Sequence, residues 1–494
     1  MKHFGMTRFC ALLLIFVMLL SAVLLSGCGD GGKGDKGEPG EQGVSIVKTE
    51  LVNGELIVTY SDGRTENLGQ IPGESDPNIA ALDFYPLPDD TYGVKAGNAD
   101  YLHELAIPAT YKGRAVTQIL GNGFKGLTNL TAVTLPNGLK NIGSHAFEGC
   151  SSLESVVIPG SVAEVGEGAF FNCVGLKSVV ISEGVASVGN YAFQRCYGLT
   201  SVSVPDSLTK IGQTAFRDCY RLAEVICPSD LLELKTGSTE NGYLAYYALE
   251  VHHDTRSRLI QNGDFLFYTV DGASYLIGYA GQDTELTLPA FYNQSPYAIH
   301  DYAFYGLNEL TEVLLPDTLT EIGDRAFMGC AALTDVCVPD GVRRIGDEAF
   351  SGCGALTEIT LPERSIRIGT NAFAGTGYAS AENNWTDGVL YLNRHLIGVK
   401  NTLEKITVRD NTLTVGDYVL SSCIGLTEID LPVSMTVIGD GAFAHCSRLS
   451  KIRYAGTLAE WNAIQKGVDW DAEVAYYTVK ATDGDQSSDI IKDR

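Results

Sequence analysis

The chain has 494 residues, a formal net charge of −25, 19% charged and 45% hydrophobic residues, and 55 glycines. That length could hold several globular domains and bury a sizeable core. The acidity excludes nucleic acid as an expected partner and disfavours anionic lipid surfaces, because both repel carboxylates.

At the N-terminus, Lys2 and Arg8 precede or flank the start of an apolar run from Phe9 to Leu25, which ends in Leu25-Ser26-Gly27-Cys28. Positive residues followed by an apolar core mark an export signal over residues 1–27. A membrane-spanning helix is the competing reading, since the run approaches the lower length limit for a span. It ranks behind, because Gly29 and Asp30 follow at once. Small residues directly before Cys28 resemble the lipobox of bacterial lipoproteins, which implies that Cys28 is lipidated and becomes the first mature residue. Gly31, Gly34, Gly37, Gly40 and Gly43 then fall at every third position. The spacing is collagen-like, but the triplets are too few for a triple helix. Residues 28–45 are therefore expected to be an anchor and a solvated spacer of about 40 Å if extended.

Residues 46–80 read as a small β unit and linker. The run Leu56-Ile57-Val58-Thr59-Tyr60 meets Asp62-Gly63, a strong hairpin-turn signal. Beyond it a 23-residue period takes over. Phe124, Phe147, Phe170, Phe193 and Phe216 keep this step, as do Phe304, Phe327, Phe350 and Phe373. Leu130, Leu153, Leu176, Leu199 and Leu222 follow the same step. One unit runs from Cys150 through Leu153, Val156, Ile158, Pro159, Val162, Val165 and Gly166 to Ala169-Phe170. The L-x-x-V-x-[LIV] core matches the strand of a leucine-rich repeat. A single coil offers about eight apolar side chains worth roughly 2 kcal/mol each. Ordering its residues costs about 1–2 kcal/mol apiece. Coils must therefore stack into one shared core.

Two islands break the period, about 229–298 and 376–402. In the first, Phe265-Leu266-Phe267-Tyr268 and Tyr275-Leu276-Ile277 flank Asp271-Gly272; in the second, Val389-Leu390-Tyr391-Leu392 precedes Leu396-Ile397. Both predict hairpins. At the far end, Thr457 and Glu460 form a capping-box pattern that should start a short helix carrying Leu458, Trp461 and Ile464 over the open core. The polar residues 466–494 are expected to be a tail, disordered from about 480.

The unit C-x-x-L-x-x-[VI]-x-[LIV]-P-x-x-[LV]-x-x-[IV]-G-x-x-A-F resembles the repeats of BspA-like bacterial leucine-rich-repeat proteins. Ile107-Pro108-Ala109-Thr110-Tyr111 at the array start and Tyr454-Ala455-Gly456-Thr457 with Trp461 at its end are similar too. The resemblance covers about residues 80–465. Ser182, in the Pro slot, and the long first island depart from it. It implies surface exposure and, for some members, adhesion to host matrix or to other cells. The expected fold is a mainly β solenoid over residues 81–465. It is a right-handed leucine-rich-repeat superhelix with one short parallel strand per coil, two hairpin islands and a C-terminal capping helix.

Catalytic signals are absent. Gly121, Gly123 and Gly126 fit G-x-G-x-x-G, but they lie in register with the repeat and no phosphate-cradling helix follows. His252 and His253 beside Asp254 suggest a metal, yet adjacent residues on a strand face opposite ways, so both are read as exposed loop residues. Twelve Cys in an exported chain suggest disulfides. Cys10 and Cys28 belong to the export segment, and most others share one repeat slot, which favours buried packing; bridges between coils stay open. No catalytic residue, metal ligand or cofactor is assigned.

In L-x-x-V-x-I, the second and fourth residues after Leu should face solvent. The fourth-after lane includes Val157, Val180, Ile226 and Leu314. The second-after lane is neutral through Ser155, Ser178 and Ser201 and then runs Glu224, Glu285, Glu312, Asp335 and Glu358. Hydrated, functionally silent acids are one reading; a column that meets a basic protein patch or divalent cations is the sharper one. The expected function is that of a monomeric surface lipoprotein, bound to the membrane only by its lipid. It would capture a protein or polysaccharide ligand on a host or neighbouring cell. A structural spacer of the envelope or a biofilm is the alternative, and an enzyme with a site in the first island comes third.

Overall fold

The computed structural model describes residues 46–488, apart from 53–54, 62, 71–76, 99–100, 229–232 and 255. The export segment, Cys28 and the glycine-triplet spacer lie outside the described residues. The chain divides into two compact units, residues 1–73 and 74–494. In the first, Ile46–Val52, Glu55–Tyr60 and Thr65–Gln70 form an antiparallel three-stranded sheet in chain order. The hairpin expected around residue 62 is present, and one further strand joins it.

In the second unit each 23-residue coil contributes to two parallel sheets. The front sheet collects the L-x-x-V-x-I segments, with Ser155–Ile158, Ser178–Ile181, Ser201–Ser203 and Glu224–Ile226 side by side in strict register. A side sheet collects two-residue strands that end before the repeat glycine, such as Asn141–Ile142, Glu164–Val165 and Ser187–Val188. This second strand per coil goes beyond the sequence expectation, because two residues carry no readable alternation. The glycine after it has a steric cause. The Gly166 N–H donates to the Ile142 carbonyl at 3.0 Å, and a Cβ on Gly166 would lie 2.5 Å from that oxygen.

Between the sheets the ladders close the core. Ring centroids of Phe124, Phe147, Phe170, Phe193 and Phe216 repeat at 5.1–5.2 Å with planes within 13°. Phe304, Phe327, Phe350 and Phe373 repeat at 4.8–5.6 Å. Each main chain also bonds to the next coil at this position; the Phe147 N–H donates to the Ala169 carbonyl at 2.7 Å. No disulfide joins the cysteines of the repeat slot, which remain thiols. They are buried, and all but Cys423 donate across coils, as Cys173 Sγ does to the Phe147 carbonyl at 3.1 Å and Cys330 Sγ to the Phe304 carbonyl at 3.2 Å. Cys suits the slot because it is small and apolar yet still carries a weak donor.

The islands divide the solenoid into three arrays, each with its own core. Phe265–Val270 and Ala273–Tyr279 form the first predicted hairpin, and its second strand pairs in parallel with Ala298–Ile299. The hairpin therefore opens the side sheet of array two instead of bulging away. Val389–Leu392 and His395–Val399 open array three in the same manner, pairing onward with Thr414–Val415. Helix Leu458–Ala463 starts at a complete Thr457–Glu460 capping box and buries Trp461, with Ile464 buried just beyond it. It does not end the fold. Gln465–Lys466 and Thr478–Ala481 add to both sheets of array three, and Gly484–Ser487 folds back antiparallel on the last strand. The expected polar tail is thus structured through Ser488. Its alternating Val479 and Tyr477 enter the core, a signal too short to register beside the surrounding polar residues.

Because Phe170 is stacked on both sides, Phe170→Ala should lower stability by about 3–5 kcal/mol in urea unfolding. Val157→Ala, on an outward position of the same front sheet, should stay within about 0.5 kcal/mol.

Candidate functional site

The front sheets expose one ribbon of outward side chains per array, and their chemistry differs. In array one, Val157 and Val180 stand on the open face at 57% and 41% exposure, flanked by Ser155 and Ser178. In array two, Glu285, Glu312, Asp335 and Glu358 are directly paired neighbours along the sheet, and all four are exposed. Adjacent strands place such carboxylates about 4.8 Å apart. Leu314 is 57% exposed one lane away. None of the four acids makes an ion pair among the described residues. The nearest polar partner is the Thr334 hydroxyl, 3.0 Å from Asp335. The arginines of this array work elsewhere. Arg344, on the side sheet, pairs with Glu321 at 2.7 Å and Asp324 at 2.5 Å, and Arg325 pairs with Glu348 at 2.5 Å.

Array three shows the opposite design. Its equivalent column reads Lys405, Glu428, Lys451, and Glu428 pairs with the lysines at 3.1 and 3.4 Å and also with Arg453. Signs alternate there, so neighbouring charges attract. In array two they repeat, and like charges directly opposite destabilise a sheet. The acidic column is thus a surface whose repulsion the described chain leaves uncompensated. No group of three His, Cys, Asp or Glu among the described residues is arranged to hold a metal ion. The column is a line of single carboxylates on a sheet face.

Glu224 and Ile226 do not belong to this open surface. Glu224 is completely buried and Ile226 is 6% exposed. The neighbour of Glu224 in the sheet is Glu250, not Glu285, since strand Glu250–His252 intervenes. The first island then crosses over the sheet. The carboxylate of Glu224 accepts from Ser201 Oγ at 2.8 Å, the Arg258 N–H at 2.9 Å and the Ser257 hydroxyl, and His252 Nε2 lies 3.2 Å away. Three donors and the His252 ring nitrogen around one carboxyl group give its oxygens partners despite full burial. His252 is likewise buried on a strand, whereas His253, facing the other way, meets the Cys227 carbonyl at 2.7 Å. The reading of His252 as an exposed loop residue is corrected. The error has one source. Glu224 and Glu250 are 26 residues apart, so a 23-residue ruler misses the strand that holds His252. The same strand presents Glu250, which pairs with Arg258 at 2.5 Å and accepts from Tyr268 Oη at 2.7 Å.

Glu224 therefore fastens the island to array one. Glu224→Gln should lower unfolding stability by about 3 kcal/mol, as expected for half of a buried polar cluster. Hydrogen exchange at the Arg258 amide should accelerate, while the amide of Phe147 in the ladder keeps its protection.

The profile of the BspA type leucine rich repeat region matches residues 117–243, 282–395 and 397–464, in six copies. No curated protein matches the chain. Among solved structures, a leucine-rich-repeat protein from Bacteroides ovatus is 22% identical, with 81% of this chain and 98% of that one covered at a TM-score of 0.28. A leucine rich cell surface protein from Faecalibacterium prausnitzii is 21% identical, with 78% and 96% covered at 0.27. The pneumococcal vaccine antigen PcpA is 14% identical, with 88% and 99% covered at 0.25. The superpositions are too loose to align individual sites, so the family assignment rests on the repeat profile. With six copies of that repeat over well more than half of its length, the chain belongs to the BspA-type leucine-rich-repeat family.

Proposed function

We propose that this protein is a lipid-anchored bacterial surface protein that captures a macromolecular ligand on the front sheets of its solenoid, in the manner of an adhesin. One observation carries the reading. Glu285, Glu312, Asp335 and Glu358 form an unbroken column of exposed carboxylates with no cation among the described residues, beside exposed Leu314. A row of like charges weakens the sheet that carries it, and a basic patch on a partner protein would relieve that repulsion. The alternating column of array three shows that the same repeat position accepts lysine, so acids are not forced on array two by the fold. Family membership supports an interaction role, since stacked repeats offer long open surfaces and no enclosed reaction chamber. No catalytic role is proposed. The export signal and the Ser26-Gly27-Cys28 sequence support attachment through a lipid on Cys28, which leaves the solenoid as the exposed part.

The test uses the chain from residue 29 onward, immobilised and offered matrix proteins and bacterial cells. Saturable, salt-sensitive binding to a target with a basic surface is expected. The triple variant Glu285→Gln, Glu312→Gln, Glu358→Gln should weaken it about tenfold or more and flatten the salt dependence. Equal binding by parent and variant, or no saturable binding at all, would sink the reading. Separately, Cys28→Ala should move the protein from the membrane fraction to the soluble fraction and abolish its labelling by a fatty-acid analogue.

A further inference from the structure

A cleft of about 730 Å³ lies between the front sheet of array one and the hairpin that opens array two. Its size is that of a small-molecule site. Val180 and Ile226 on the sheet and Leu259 and Leu266 on the island side supply apolar walls, and serine hydroxyls, including that of Ser203, dot the sheet side. One strong charge is set into this lining. Arg221 occupies the repeat slot that Ser152, Gly175 and Gly198 fill in the three preceding coils. Arg448, in the same slot of array three, is exposed, whereas Arg221 lies in the last regular coil before the island, where the hairpin stands opposite it. The hairpin makes room for it with Gly278, where a Cβ would lie 1.6 Å from a terminal nitrogen of the guanidinium. Gly278 sits beside a bulge in the hairpin, because Leu266 pairs with Gly278 while Phe267 pairs with Leu276.

Arg221 has no counter-ion in this position. Its Nε is buried without a hydrogen-bond partner, and no side-chain hydrogen bond or ion pair of Arg221 occurs among the described residues. Burial pulls the guanidinium down to about 10. The other charges lining the cleft are Lys177, already paired with Glu154 at 3.1 Å, and exposed Asp264. In a chain of net charge −25, a largely apolar cleft around a half-buried guanidinium with no protein partner is a local inversion of sign. Leaving its shielded Nε without an acceptor costs free energy, and the group best shaped to satisfy a guanidinium fork is a carboxylate.

We propose that this cleft binds an amphipathic carboxylate, an apolar chain or side chain lying between Val180, Ile226, Leu259 and Leu266 with its carboxylate on Arg221. A free carboxylic acid and the C-terminal end of a peptide carry the same chemistry. The site is distinct from the acidic column of array two, so the two readings stand or fall separately.

Calorimetric titration of the chain from residue 29 onward tests it, with octanoate and acetyl-Ala-Ala-Leu as probes and octanamide and the peptide amide as uncharged twins. Binding of at least one acid with one-to-one stoichiometry is expected, at about ten- to a hundredfold higher affinity than its amide. Octanoate alone would identify a free acid as the occupant, and the peptide alone a chain end. Arg221→Gln should remove the preference for acid over amide. Val180→Trp, which fills the cleft without touching Arg221, should abolish binding of both acids while keeping the melting temperature. Glu312→Gln should bind as the parent does. Failure of both acids to bind, equal affinity for acid and amide, or undiminished binding by Val180→Trp would overturn the proposal.

Discussion

The constraint on which everything rests is that no coil of this protein can satisfy its own backbone. The N–H of Phe147 finds its acceptor on Ala169, one coil on, and that of Gly166 finds Ile142, one coil back. Buried amides left without such partners would each cost free energy comparable to a lost hydrogen bond. The 23-residue step is the distance along the chain at which donors, acceptors and apolar side chains all return to the same place. Phe stacking, the Cys-to-carbonyl contacts and the glycine that admits the neighbouring carbonyl are consequences of that one repeat geometry. Cooperation between coils follows, since the loss of one rung removes partners on both sides.

The same logic explains how the islands are built. A coil that breaks the period cannot simply be inserted, because its neighbours would lose their acceptors. Each island ends in a hairpin whose second strand takes a place in the side sheet, Tyr275–Leu276 against Ala298–Ile299 and His395–Leu396 against Thr414–Val415. The irregular chain thereby supplies the next coil with a paired edge. Where array one stops, its exposed end is covered instead of left open. Glu224 draws Ser257 and Arg258 across the sheet, and Tyr220 stacks on Tyr302 of array two at 4.0 Å. This covering also frames the cleft around Arg221, so one interruption of the repeat yields both a fastening and a cavity.

Charge is distributed along the front sheets with similar economy. Array one is nearly neutral, array two is acidic without compensation, and array three alternates. Because outward positions touch neither core nor ladder, they are free of packing demands, and their chemistry can differ between arrays on an unchanged scaffold. A binding function has most freedom in these positions.

The repeat, the Phe and Leu ladders, both hairpins, the capping helix and the in-register acids Glu285, Glu312, Asp335 and Glu358 are legible in the order of the amino acids. All of these are periodic or local, and such features are written in spacing alone. Which outward positions remain outward is set by how the distant chain folds back over them. Glu224 and Ile226 obey the same rule as Glu312 and Leu314, yet they are covered because a 26-residue step brings in Glu250–His252 and the island folds over them. Arg221 likewise carries no signal of its own in the spacing of the repeat. Its meaning depends on Gly278, 57 positions later, and only the return of the chain brings the two together. Burial of a particular side chain is set by what arrives from elsewhere in the chain, and a repeat pattern carries no record of that arrival.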